Sequence, residues 1–152
     1  LERLNRLNAS TEGDQVAVLK EKMQQNMQNN FGVFRTKDLM EKGIEDLSKV
    51  RDEVENMYLK DKSATFNTAR IEALEMQNLF EVAEATAVTA NSRQESRGAH
   101  SRDDYPERDD ENWLKHTLFW GNNTENKVTH RPVRMTTLSN QISVIQPQVR
   151  VY

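Results

Sequence analysis

At 152 residues, 36% of them hydrophobic and 30% charged, the chain is sized and composed like one helical domain with a lean core. A net charge of -3 and a pI near 5.7 weigh against general nucleic-acid affinity, and the absence of Cys excludes disulfide and thiolate chemistry. No apolar run approaches the roughly 18 residues of a membrane span, and Leu1 opens no signal-peptide pattern. The chain starts in mid-pattern, as expected of a piece of a longer protein.

Asp14 to Phe31 places Val16, Leu19, Met23, Met27 and Phe31 at steps of three and four, one face of a helix. Ser10 and Thr11 are its capping candidates, and Gly32 marks its end. The Gln and Asn residues belong to the other face, expected to be solvated or pressed on a polar partner. Thr36 is the expected N-cap of a second helix. Its stripe is Leu39, Met40, Ile44, Leu47, Val50, Val54 and Met57, fading near Leu59, with a favourably ordered Glu45–Lys49 pair. Asn67 or Thr68 caps a third helix running to Ser92. Its apolar positions are Ile71, Leu74, Leu79, Phe80, Val82, Ala83, Ala87, Val88 and Ala90, and its Ala-rich half permits a close neighbour. A short break between two long helices makes them antiparallel, and the first helix closes an up-down bundle.

After Ser92 the helical periodicity stops. Trp113 to Trp120 and Val128 to Leu138 have β-type content around the turn signal GNNTEN and read as a hairpin. Ile142 to Tyr152 reads as an extended tail. The fold expected is mainly α: a spectrin-repeat-like three-helix bundle over residues 1–92. A charged loop, hairpin and tail over residues 93–152 pack on it as one domain.

The search for chemistry yields little. The five glycines fall at neither GxGxxG nor Walker spacing, so no dinucleotide or phosphate loop is present. His100, His116 and His130 lie on different predicted elements, without HxxxH or HExxH spacing. The acidic run Asp103, Asp104, Glu107, Asp109, Asp110, Glu111 lacks the glycine and spacing of a calcium loop. Arg102 and Arg108 sit inside it, which favours internal ion pairs. Ser92, Ser96 and Ser101 near His100 form no nucleophile elbow. The methionines read as core filler. Trp113, Phe119 and Trp120 cover either helix three or another domain.

The stretch from Arg93 to Lys115 carries five fixed cations against seven acids. Arg93, Arg97 and Arg102 are rigid forks able to clamp a carboxylate or phosphate. Gly98 allows a positive-φ turn, and His100 titrates near neutrality when unperturbed. With no net positive charge, the residues favour ion pairs with Glu95, Asp103 and Asp104 that fix a buried loop. Arg93, Glu95, Arg97, His100 and Arg102 are the candidate interdomain docking residues.

The segments MQNNFGVFRT, FNTARIEALEMQNLFEVAEATAVTA, RQESRGAHSR and YPERDDENWLKHTL occur in this order, and the chain ends in QPQVRVY. This pattern resembles the C-terminal helical domain of the succinate dehydrogenase and fumarate reductase flavoprotein subunits. The likeness covers nearly the whole chain. L-aspartate oxidase has a similar ESRG loop, but GAH and RDDENWLKH fit the dehydrogenase pair, and RVY leans to succinate dehydrogenase. The resemblance implies FAD held covalently by a preceding domain, and substrate and catalytic residues supplied from outside this segment. It implies a full subunit that oxidises succinate to fumarate and passes electrons to an iron-sulfur subunit and quinone. That subunit is expected to lie peripherally, beside a membrane anchor, on the cytoplasmic face of the bacterial inner membrane or the mitochondrial matrix side. No catalytic, cofactor or metal residue carries over, so the segment alone is expected to bind no FAD and to be inert. The alternative is a free-standing helical interaction module.

Overall fold

In the computed structural model, residues 1–121 and 126–148 are described. The elements are α1 (Glu2–Ala9), α2 (Val16–Asn30), α3 (Lys37–Glu55), α4 (Thr68–Ser92), α5 (Asp110–Trp113), β1 (Lys115–Gly121) and β2 (Asn126–Pro132). Helices α2, α3 and α4 each pack on the other two. The mainly α bundle followed by a hairpin agrees with the sequence expectation, while α1 and α5 are additions to it.

The core follows helical spacing. Leu19 and Met23 of α2, Met40, Leu47, Val50 and Val54 of α3, and Met76 and Phe80 of α4 are buried together. Each such side chain contributes about 1.5–3 kcal/mol of transfer free energy. Thr36 caps α3 through Oγ1, which accepts from the Leu39 amide at 3.4 Å, and Asn67 caps α4 by accepting from the Arg70 amide at 2.8 Å. The Glu45–Lys49 pair forms at 3.0 Å on the surface.

Several expectations are corrected. Ser10 and Thr11 do not cap α2, whose N-cap is Gln15 without a side-chain bond. Ser10 Oγ instead donates to Leu7 O and accepts from the Leu59 amide, joining α1 to the α3–α4 connection. Asn26 and Asn30 are not on a solvated face. Asn26 Nδ2 donates to Gly43 O of α3 at 2.9 Å, and Asn30 Nδ2 donates to Asn26 Oδ1. A Cβ on Gly43 would collide with the Phe31 ring and Asn30 Cβ, so the missing side chain lets α2 and α3 cross closely.

Helix α3 ends at Glu55, not near Leu59. Met57 and Leu59 are buried from the connection that follows it, which is neither helix nor strand. On α4 the core face is Ala73, Met76, Phe80, Ala83, Ala87 and Ala90. Ile71, Leu79 and Val82 are exposed instead. The small residues permit close approach by the neighbouring helices, and this close packing selects their face over the bulkier one.

Helix α1 is held by tertiary bonds. Arg3 donates to Gln77 Oε1, Leu74 O and Asn78 Oδ1 on α4. Lys62 Nζ donates to Leu7 O and Ser10 O at the carboxyl end of α1, where a cation suits the helix dipole. The hairpin is antiparallel, with Thr117 opposite His130 and Phe119 opposite Val128, and it packs on α4. Strand β2 stops at Pro132, so the strand content expected up to Leu138 is shorter than read. Residues 122–125, where the sequence suggests a turn, and the last four residues of the expected tail lie outside the described residues; Ser143–Gln148 form no helix or strand.

Candidate functional site

The loop from Arg93 to Trp113 is built around buried charge. Glu95 is 0% and Arg102 1% exposed, yet both are fully engaged. Glu95 accepts from Arg93 Nη1 at 2.5 Å, Arg97 Nε at 2.8 Å, Arg97 Nη2 at 2.9 Å and the Asp109 amide at 2.9 Å. Burial alone pushes its carboxyl up. The bonds from Arg97, the Asp109 amide and Arg93 outweigh this and leave it below the usual carboxylate range. Arg97 continues to Asp110, which also accepts from Nε and Nη2 of Arg108. The Asp110 carboxyl falls to about 2, from the Arg108 bonds first and the Arg97 bond second.

Arg93 also stitches the loop to the hairpin. Nη1 donates to Trp113 O, Nη2 to Lys115 O and Thr117 Oγ1, and the guanidinium lies over the Trp113 ring. Trp113 meets His130 edge-on at 5.6 Å. Trp113 and Phe119 are half-buried, whereas Trp120 is exposed and donates Nε1–H to Thr129 Oγ1.

Arg102 forms a second cluster. Its fork grips Asp104 at 2.7 and 2.6 Å, and Nη1 donates to Asn91 O and Arg93 O. Asp104 also accepts from the Lys37 amide at the N-terminus of α3. The Arg102 bonds, helped by that amide, hold the Asp104 carboxyl at about 2. Asp103, expected to be an ion-pair partner, forms none among the described residues. Its amide donates to Arg35 O, which lays the loop along the α2–α3 connection.

His100 takes a third place. The turn Arg97–His100 is closed by paired backbone bonds, with Gly98 at φ +59, as the sequence suggested. Arg35 Nη1 lies 2.8 Å from His100 Nδ1. A guanidinium can only donate, so Nδ1 accepts and Nε2–H points to Arg93 O. Burial first, then the charges of Arg35, Arg102 and Arg93, lowers the His100 pKa and keeps the ring neutral near pH 7. Arg35 was not singled out in the sequence. Its signal was its place in VFRT, just before the cap Thr36.

The structure therefore joins Arg93, Glu95 and Arg97 in one network, gives Arg102 to Asp104, and gives His100 to Arg35. The forks of Arg97 and Arg102 are filled by carboxylates of this chain. They brace the loop rather than offer a clamp for a small anion.

A family model described as "Fumarate reductase flavoprotein C-term" matches residues 20–152. The chain belongs to this family. It is 48% identical over 133 residues to the succinate dehydrogenase flavoprotein subunit of Coxiella burnetii, covering 88% of this chain and 22% of that protein. The mitochondrial succinate dehydrogenase flavoprotein subunit of Oryza sativa is 37% identical, over 100% of this chain and 24% of that one. Among solved structures, a chain of E. coli quinol fumarate reductase matches with a TM-score of 0.84 and 34% identity, over 91% of this chain and 24% of that chain. The chain thus spans about a quarter of the length of the family members it matches.

Proposed function

We propose that residues 1–152 form the C-terminal domain of a succinate dehydrogenase flavoprotein subunit, with the bundle at 1–92 and the loop, hairpin and tail at 93–152. The complete subunit oxidises succinate to fumarate through FAD held by its preceding part. It passes electrons to an iron-sulfur subunit and on to quinone. The carrying observation is the gradient of identity: 48% and 40% to succinate dehydrogenase subunits of Coxiella burnetii and Rickettsia bellii, against 32% to the fumarate reductase subunit of Haemophilus influenzae. One observation favours a fumarate reductase instead, since the E. coli enzyme matches at a TM-score of 0.84 and a Mycobacterium smegmatis Sdh1 complex at 0.74. Steady-state assays of the full-length complex in both directions decide between them. Faster succinate oxidation with a quinone acceptor is expected, and faster fumarate reduction with a quinol donor overturns it.

Within that subunit the domain is a brace, inert by itself. Arg93, Glu95, Arg97, His100 and Arg102 fix the shape of the charged loop, and that loop docks against the preceding flavin and capping domains. The partly exposed Arg97, already fixed by Glu95 and Asp110, supports this role. The assembly sits peripherally on the cytoplasmic face of a bacterial inner membrane or the matrix side of a mitochondrial one. No described helix is long and apolar enough to cross a membrane. In this reading a separate anchor subunit holds the assembly there. Arg97→Ala in the full-length subunit is expected to lower the flavin bound per subunit; wild-type flavin content and activity would defeat the docking role.

A further inference from the structure

A shallow hollow of about 380 Å³ opens where α4, β1 and the Arg97–His100 turn meet. Arg35, Arg93, His100, Lys115, His116 and Thr117 are on its wall, and no Asp or Glu is. The wall is thus locally basic, in a chain with 24 acids and 21 basic residues. In the adjoining loop each of Arg93, Arg97, Arg102 and Arg108 has a carboxylate. Arg35 and Lys115 have none among the described residues.

Three residues of this wall keep donors unspent. Arg35 spends Nε on Phe31 O and Gly32 O and Nη1 on His100, which leaves Nη2 without a hydrogen-bond partner among the described residues. Its partners are all neutral, although burial disfavours its charge. The Lys115 ammonium lies 4.5 Å from the centre of the Trp113 ring, without a carboxylate. Thr117 Oγ1 accepts from Arg93, so its own hydrogen remains free to donate. Two cations and a hydroxyl donor around an acid-free hollow fit a carboxylate. The hollow is too shallow to shield a free anion from water and salt, where such contacts are weak. A side chain tethered in the same subunit arrives at high effective concentration and needs no such shielding.

We propose that this hollow seats an Asp or Glu carboxylate from the part of the flavoprotein polypeptide outside these 152 residues. Arg35, Lys115 and Thr117 are its donors. The inference rests on the reading of the chain as one part of a flavoprotein subunit.

Zero-length carbodiimide coupling of the full-length subunit, mapped by mass spectrometry, tests it. The expected product joins Lys115 to an Asp or Glu outside the present residues. Lys115→Met keeps the stem over Trp113, and should abolish that product and speed limited proteolysis of the subunit about tenfold. A Lys115 that acetylates freely and forms no cross-link overturns the proposal, as does a cross-link confined to this chain or an unchanged proteolysis rate. Protection of Lys115 from acetylation that appears only with added phosphate or citrate assigns the hollow to a small anion and also overturns it. A complex that oxidises succinate yet yields no Lys115 cross-link defeats this inference alone, whereas a complex without that activity defeats the functional assignment.

Discussion

The bundle and the charged loop are ordered by opposite means. In the bundle, Leu19, Met40, Leu47, Met76 and Phe80 close on one another without directional demands. Hydrophobic contacts of this kind tolerate exchange if volume is kept. In the loop, the buried Glu95 and Arg102 are stable only because nearly every donor and acceptor around them is matched. Breaking such a buried pair costs more than making it gained, because the partner's charge is left stranded. The loop should therefore be the more fragile region per substitution, although it has less apolar core.

Glu95→Ala offers the largest effect. It strands Arg93 and Arg97 beside a cavity and removes the acceptor of the Asp109 amide. A destabilisation of about 3–5 kcal/mol is expected from urea unfolding. Leu47→Met in the bundle should cost under about 1.5 kcal/mol in the same measurement, because volume is conserved. Equal losses at the two sites would erase the distinction between the regions.

Gly43→Ala probes a place where the bundle itself becomes unforgiving. The added methyl meets the Phe31 ring and Asn30 Cβ, so α2 and α3 must part. The expected cost is about 1–3 kcal/mol, although Ala is the better helix former by about 1 kcal/mol. A more stable variant would show that the crossing can relax without loss.

Acid should loosen the loop before the bundle. The Asp104 carboxyl is held at about 2 in the fold, below its ordinary 3.8. A depressed folded pKa gives stability that is present above about pH 4 and lost as pH falls through about 2. After allowance for solvent at this partly exposed group, the contribution is roughly 1–2 kcal/mol. Asp110, also held at about 2, follows the same sign. Hydrogen exchange between pH 5 and pH 2 should expose the Asp103 and Lys37 amides while the α3 amides near Leu47 stay protected. Simultaneous loss of both sets would mean one cooperative unit.

Much of this division could be read in the sequence, and the exceptions share a cause. Thr36, Asn67 and Gly98 act through neighbours within three residues, so their roles follow from local chemistry. The hairpin was visible because alternation and a turn signal coincide. Helix α1 was missed because, although Leu4 and Leu7 fall on one face, eight residues are too few to make a helix by themselves, and Arg3 and Lys62 hold it through residues far along the chain. On α4 apolar residues occupy both faces, and only packing decides that Ala73, Ala83 and Ala87 go inward while Ile71 and Val82 stay out. The loop's docking residues were picked by composition. Their pairing, and the place of Arg35 beside His100, needed contacts 65 residues apart in sequence.

The smallest effect lies where the two regions meet, at the first turn of α3. Thr36 Oγ1 serves the Leu39 amide and Asp104 serves the Lys37 amide, so the helix draws one cap from its own segment and one from the loop. The Thr36 bond is long at 3.4 Å. Thr36→Ala should accordingly cost about 0.5–1 kcal/mol, the lower part of the capping range. If the loop orders this turn, Thr36→Ala and Asp104→Asn should be non-additive by more than about 0.5 kcal/mol in a double-mutant cycle. Additive losses would place the loop and the bundle side by side as independent structures, with Asp104 acting on Arg102 alone.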